Sequence, residues 1–86
     1  MSYSIKSGLT IQTAGTEIII LNKSNQQIHQ LNQVATFIWN ALSQGQKDIP
    51  QQLSQHFNVD ITTASNDYER LLSELLENEL ITKSSQ

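Results

Sequence analysis

The sequence predicts an α+β fold of the winged-helix-like kind, with a three-stranded antiparallel sheet followed by three helices. Apolar residues stand in strand-like runs before Leu31, whereas from Val34 onward they recur at helical spacing. The polar connections between the first runs are short, which favours antiparallel neighbours. We expect one domain over residues 1–86, with its core at about residues 9–81.

Three extended segments are predicted ahead of the first helix. Leu9–Gln12 alternates apolar and polar residues, and Thr13–Thr16 supplies a turn. Glu17–Leu21 is rich in β-branched residues and almost continuously apolar, which predicts a central strand covered on both faces. Gln26–Leu31 is polar and contains no charged residue, and we interpret it as an edge strand.

The first helix carries its apolar residues at i, i+3, i+4, i+7 and i+8, which places them on one stripe. Asn32 stands where its side-chain oxygen can accept from the first helical turn, and Gly45 suits the left-handed end of the helix. The stripe consists of Val34, Phe37, Ile38, Ala41 and Leu42.

Two more helices are expected after this one. Asp48 is placed to cap the second helix, and Pro50 lies in its first turn, where the missing N–H costs nothing. The third is predicted from Thr62 or Thr63 to Asn78, followed by a polar tail, residues 82–86, that we expect to fray. The apolar positions of the third helix span an arc of about 140°, so either it packs against two neighbours or part of its face receives a ligand. These positions are Ala64, Tyr68, Leu71, Leu72, Leu75 and Leu76.

Composition excludes several classes of protein. Without cysteine there is no disulfide and no thiolate ligand or nucleophile. Five Lys and Arg against eight Asp and Glu give a net charge of −3, and no basic cluster is present for nucleic acid or an anionic membrane. The longest apolar run, Ile18–Leu21, is too short to span a bilayer, and the N-terminus lacks the apolar core of a signal peptide. We expect a cytoplasmic protein.

The sequence offers little catalytic chemistry. Neither His29 nor His56 has a second histidine at i+3 or i+4, which excludes a helical zinc pair. No serine lies in a G-x-S-x-G elbow, and the three glycines stand apart, so no phosphate-binding loop is formed. We therefore predict no catalytic residues, no metal site and no cofactor, and a protein that is not an enzyme.

The uncharged edge strand has two interpretations. It is either a short edge that its glutamines keep soluble, or an acceptor for an added strand. In the second case the main chain gives affinity, and apolar pockets supplied by the third helix give specificity.

Two segments resemble motifs of one family. Ile28–Trp39 resembles the "LN-x-x-A-x-x-(I/L)-W" motif that opens the first helix of the PqqD-like proteins, also called precursor-peptide recognition elements. Asp67–Ile81 is similar to that family's last helix, "D-V-x-x-F-L-x-x-L-x-x-x-G-L-(I/L)". Tyr68, Leu71 and Glu79 depart from the family's usual valine, aromatic residue and glycine, and at Glu79 the chain lacks the glycine that usually ends the helix.

The resemblance implies a non-catalytic chaperone that binds the leader segment of a ribosomally made precursor peptide by strand addition. It would present that peptide to a maturation enzyme such as a radical-SAM protein, a protease or a cyclase. Asp67 matches the family's acidic position, where it either binds a basic leader residue or caps locally. The backbone ladder would come from Gln26, Gln27, Ile28, His29 and Gln30, and the pocket from Tyr68, Leu71, Leu72 and Leu75.

Two other functions remain open at this point. The order of the three helices is compatible with a winged-helix nucleic-acid-binding domain, although Arg70 is the only arginine of the chain and stands among acidic residues. The open edge could instead bind another folded domain, as in an adaptor or a homodimer.

Overall fold

A computed structural model describes residues 2–84 and confirms the α+β fold, with three helices after a three-stranded antiparallel sheet. One further strand precedes this unit in the chain and another follows it. The elements in chain order are β1 (Ser2–Ile5), β2 (Leu9–Ala14), β3 (Glu17–Asn22), β4 (Gln27–Leu31), α1 (Gln33–Ser43), α2 (Ile49–Phe57), α3 (Ile61–Glu77) and β5 (Ile81–Ser84).

The three-stranded sheet has the order β2-β3-β4, so the strand rich in isoleucine is central, as predicted. Ile20 lies opposite Ile11 on one side and His29 on the other. The outer edge of β4 is unpaired within residues 2–84, which confirms the edge position of this strand. Gln26, predicted as part of the strand, lies before it in the turn with a φ of 61°.

Only one face of the sheet is covered by helices. Ile18 and Ile20 point into the core, with 5% and 0% of their surface exposed. Ile19 and Leu21 point to the opposite face and stay partly exposed. The prediction that β3 is covered on both faces is therefore wrong, because all three helices follow the sheet and none crosses back over it.

A buried hydroxyl joins the sheet to α1. The N–H of Ile18 donates to Thr36 Oγ1 at 3.2 Å, and the Thr36 hydroxyl donates to the carbonyl of Leu31 at 3.1 Å. Ile18 and Leu31 are partners in the β3–β4 register, so Thr36 extends the ladder where the strands diverge. Asn32 caps α1 as predicted, accepting from the N–H of Ala35 at 2.9 Å.

The second helix begins without a side-chain cap. Asp48 precedes it with a φ of 57° and makes no capping hydrogen bond, so the predicted cap is wrong. A capping side chain needs an extended backbone, and the left-handed conformation of Asp48 directs its carboxylate elsewhere. At the other end of α2, the ring of His56 stacks on Phe37 of α1 with their centroids 4.7 Å apart.

The third helix begins at Ile61 and ends at Glu77, within one or two residues of the prediction. Asp60 caps it, accepting from the N–H of Thr63 at 2.7 Å. The helix packs against both α2 and β5, so its wide apolar arc contacts two neighbours.

The first and last strands pair with each other in a separate two-stranded antiparallel sheet, from Ile5 opposite Ile81 to Ser2 opposite Ser84. The predicted frayed tail is thus wrong for residues 82–84, whereas residues 85 and 86 lie outside the described residues. Each of these strands is only four residues long, so its sequence shows no strong alternation of apolar and polar residues. Each is stabilised by a partner strand at the other end of the described chain.

At the end of α3, Glu79 takes the position where the family usually has glycine. The N–H of Leu80 donates to the carbonyl of Leu75 at 2.9 Å, and the N–H of Glu79 donates to the carbonyl of Leu76 at 3.1 Å. This is the Schellman pattern, which needs a left-handed residue after the helix, and Glu79 fills that position with a φ of 60°.

Replacing Glu79 by glycine is expected to raise the free energy of unfolding by about 1 kcal/mol, because glycine adopts the left-handed conformation without a Cβ clash. Urea unfolding measures this change. Glu79→Ala is the matched control, since it removes the exposed Lys6–Glu79 ion pair (3.6 Å) but keeps the strain. A glycine variant no more stable than the alanine variant would contradict the assignment of strain.

Candidate functional site

A groove of about 320 Å³ lies between the open edge of β4 and the helices α1 and α3. It forms because α3 packs on α2 and β5 and stands away from β4. Its walls are Gln30, Leu31 and Asn32 from the strand side, Val34, Ala35 and Ile38 from α1, and Asp67, Arg70, Leu71 and Glu74 from α3.

The groove has an apolar floor and a charged rim. Leu31, Ile38 and Leu71 are buried and form the floor together with the half-buried Val34. On the rim, Arg70 Nη2 lies 2.9 Å from Asp67 Oδ1 within α3. Such an exposed pair contributes little to stability, so Arg70 remains able to exchange partners.

The direction of the backbone groups in β3 follows from two contacts. The N–H of Ile18 points toward Leu31 of β4, through the Thr36 hydroxyl. The N–H of Lys23 points the other way and donates to the carbonyl of Gly8 at 3.4 Å. Since these groups alternate along a strand, the even-numbered residues of β3 face β4.

The free groups of β4 can now be identified. Gln27, His29 and Leu31 lie opposite the even-numbered residues of β3, so their N–H and C=O groups face β3. Ile28 and Gln30 therefore direct their N–H and C=O groups away from the sheet, at the edge that borders the groove. This edge offers two donors and two acceptors to another extended chain.

Three of the predicted site residues meet at the groove, namely Gln30, Asp67 and Leu71. Gln27, Ile28 and His29 belong to the same strand but do not line the groove. Ile28 points to the outer face of the sheet and is 69% exposed. His29 points to the helical side, and its buried Nε2 has no hydrogen-bond partner among the described residues.

The other predicted residues of α3 point away from the groove. Leu72 and Leu75 are buried in the core, with 4% and 2% of their surface exposed. Tyr68 is half-buried and faces Tyr3 of β1. Burial raises the pKa of the Tyr68 phenol above its ordinary value of 10.0, and the charges of Tyr3 and Glu69 raise it further.

Seven of the residues that line the groove were not predicted as site residues, and the spacing of four of them could have indicated their position. Arg70 and Glu74 share one helix face with Asp67 and Leu71, at i, i+3, i+4 and i+7 from Asp67. The remaining two, Val34 and Ile38, are on the apolar stripe of α1. These two residues were not predicted because the apolar stripe of α1 also fills the core. The sequence alone does not show which residues of the stripe border the groove.

Within residues 2–84, no helix is long and apolar enough to cross a membrane.

Comparison with known proteins identifies the family. No curated protein sequence is significantly similar to the chain. Two solved structures share the fold at 21% identity. One is TbiB1 in complex with the TbiA(beta) leader peptide, with a TM-score of 0.78 over 100% of both chains. The other is lasso peptide synthetase B1 complexed with the leader peptide, with a TM-score of 0.81 over 96% of this chain and 100% of that one.

The family model described as coenzyme PQQ synthesis protein D (PqqD) matches residues 17–81, which include β3, β4, all three helices and the groove between them. This confirms the resemblance found in the two sequence motifs, and the chain belongs to the PqqD family.

Proposed function

We propose that this chain binds the leader segment of a ribosomally made precursor peptide by strand addition to β4, and presents it to a maturation enzyme without catalysing a reaction itself. The observation that carries the proposal is the open edge at Ile28 and Gln30, directly beside a groove with an apolar floor. The two solved structures of similar fold support it, since each contains a leader peptide.

The edge and the groove supply different parts of the recognition. Ile28 and Gln30 can make up to four main-chain hydrogen bonds with an added strand, at about 0.5–1.5 kcal/mol net each. One apolar side chain in the groove adds about 1.5–3 kcal/mol. Ordering a disordered peptide costs roughly 2–5 kcal/mol, so the net binding free energy is at most about 7 kcal/mol. We therefore expect a Kd of about 10 μM or weaker and rapid release to the next enzyme.

The charges of α3 disfavour the alternative of nucleic-acid binding. Its exposed surface carries Arg70, which is paired with Asp67, together with Glu69, Glu74 and Glu77. A helix that approaches phosphates needs an excess of basic residues, and this one has an excess of acidic residues.

Addition of a leader peptide is expected to shift the backbone amide signals of Ile28 and Gln30 more than those of His29, because only the first two N–H groups face the open edge. The neighbouring genes are first searched for a short precursor reading frame, and a synthetic peptide covering its leader is titrated into ¹⁵N- and ¹³C-labelled protein. Its scrambled sequence is the control.

The titration also tests the groove through Leu71, whose methyl signals should shift with the same peptide. The signals of Thr13 and Ile11 on the far strand β2 should stay unchanged. Unchanged Ile28 and Gln30 signals at millimolar leader peptide would contradict strand addition to β4.

A further inference from the structure

The outer face of the three-stranded sheet carries an apolar patch that the groove does not use. We define this outer patch as Ile19, Leu21 and Ile28, which border a shallow depression of about 150 Å³ together with Thr10 and Gln12. Ile28 is 69% exposed and lies opposite Leu21 in the β3–β4 register. It is the most exposed large apolar residue described, and it belongs to the strand with the open edge.

An exposed isoleucine on an edge strand has a specific geometric consequence. A strand that pairs with β4 places one residue directly opposite each β4 residue, with the two side chains on the same face and about 5 Å between their Cβ atoms. The residue opposite Ile28 therefore lies on the outer face, where it covers Ile28. The residue opposite Leu31 lies on the other face, where it enters the groove.

From this geometry we infer that the outer patch is a second specificity pocket for the leader peptide, and that Ile28 is its main contact. The inference rests on the proposed strand addition. It assigns the ligand a class: an extended segment with two apolar residues an odd number of positions apart, so that one side chain enters the groove and the other covers Ile28. A peptide with apolar residues only at even spacing can occupy one face alone.

The polar neighbours of the patch fit this ligand. Gln30 shares the outer face with Ile28, and its Nε2 donates to Glu17 Oε1 at 2.9 Å. Glu17 thus places an acidic group beside Gln30 on the outer face. The rim of the groove also has an acidic excess, with Asp67 and Glu74 against Arg70. Basic or neutral residues are therefore expected around the two apolar anchors.

The test uses a random 12-residue peptide library displayed on phage and selected on the wild-type protein. The enriched peptides are synthesised, and their Kd values are measured by fluorescence anisotropy against wild type, Ile28→Thr, Ile11→Thr and Gln30→Pro. Threonine keeps the β-branch, so the exposed strand position remains compatible with folding. Ile11→Thr is the matched control, because Ile11 is a 44% exposed isoleucine on β2, away from the open edge of β4.

We expect peptides with an odd-spaced apolar pair, whose affinity falls about tenfold in Ile28→Thr and is unchanged in Ile11→Thr. Replacing the peptide's outer apolar residue by threonine should weaken binding to wild type but not to Ile28→Thr, which shows that the two side chains touch.

Two results would overturn the inference, and they differ in what they say about strand addition. Peptides that lose affinity in Gln30→Pro but bind Ile28→Thr like wild type would contradict the role of the outer patch as a specificity pocket. The same result would still support strand addition to β4. A selection that yields no peptide sensitive to Gln30→Pro would contradict strand addition to β4 and the outer pocket with it.

Discussion

Replacing Gln30 by proline is expected to weaken leader-peptide binding at least about tenfold while the domain stays folded. Proline removes the outward N–H of Gln30 and places its ring where the added strand must approach. Proline is tolerated on an edge strand when the lost N–H faces solvent, so only the exposed Gln30–Glu17 hydrogen bond is lost from the free protein. Fluorescence anisotropy with the synthetic leader peptide measures the affinity, and circular dichroism confirms folding.

Two further proline variants make this result specific. Thr13 has an outward N–H on the opposite edge of the sheet, so Thr13→Pro should bind like wild type. The N–H of His29 faces Ile20, so His29→Pro should lower the free energy of unfolding by about 1–3 kcal/mol. Equal affinities for Gln30→Pro and Thr13→Pro would place the leader peptide elsewhere.

The second large effect is expected at Thr36, the buried hydroxyl between Ile18 and Leu31. Thr36→Val keeps the size and shape of the side chain but leaves a buried N–H and a buried C=O without their partner. Each unsatisfied group costs about 1–3 kcal/mol, so the free energy of unfolding should fall by about 2–6 kcal/mol. For a domain of this length, such a loss is a large fraction of its stability.

The matched control for this variant is Thr36→Ser, which keeps the hydroxyl and loses only a methyl group, at about 1 kcal/mol. The single tryptophan, Trp39, is 2% exposed on α1 and reports unfolding by its fluorescence in urea. If Thr36→Val were as stable as Thr36→Ser, the hydroxyl would not be needed to join the sheet to α1.

The elements that could be predicted from the sequence are those whose own residues determine them. The apolar alternation and β-branched run of β3, the Asn32 cap and the stripe of α1 each depend on neighbours within a few positions. The strands β1 and β5 could not be predicted because they are defined by each other across the whole chain. The missing cap of α2 could not be predicted for a different reason, since the residue type at Asp48 suits a cap but does not determine its left-handed backbone conformation.

The candidate site was predicted as a strand edge beside the last helix, and the structure brings these two elements together. The wide apolar arc of α3, however, mixes residues that face the core with residues that face the groove. Leu72 and Leu75 face the core, whereas Leu71 contributes to both the core and the groove. This division depends on how α3 is oriented relative to β4, which the sequence of the helix does not show. The polar residues Asp67, Arg70 and Glu74 mark the groove side of α3 better than the leucines do.

The pairing of β1 with β5 also bears on how the groove keeps its shape. One wall of the groove is α3, whose C-terminal end leads into β5, and β5 is held by the first strand of the chain. Loss of this pairing would free the C-terminal end of α3, so the groove wall depends on contacts between residues more than seventy positions apart in the chain. Removal of residues 2–5 by a protease would therefore loosen the groove, although none of these residues lines it.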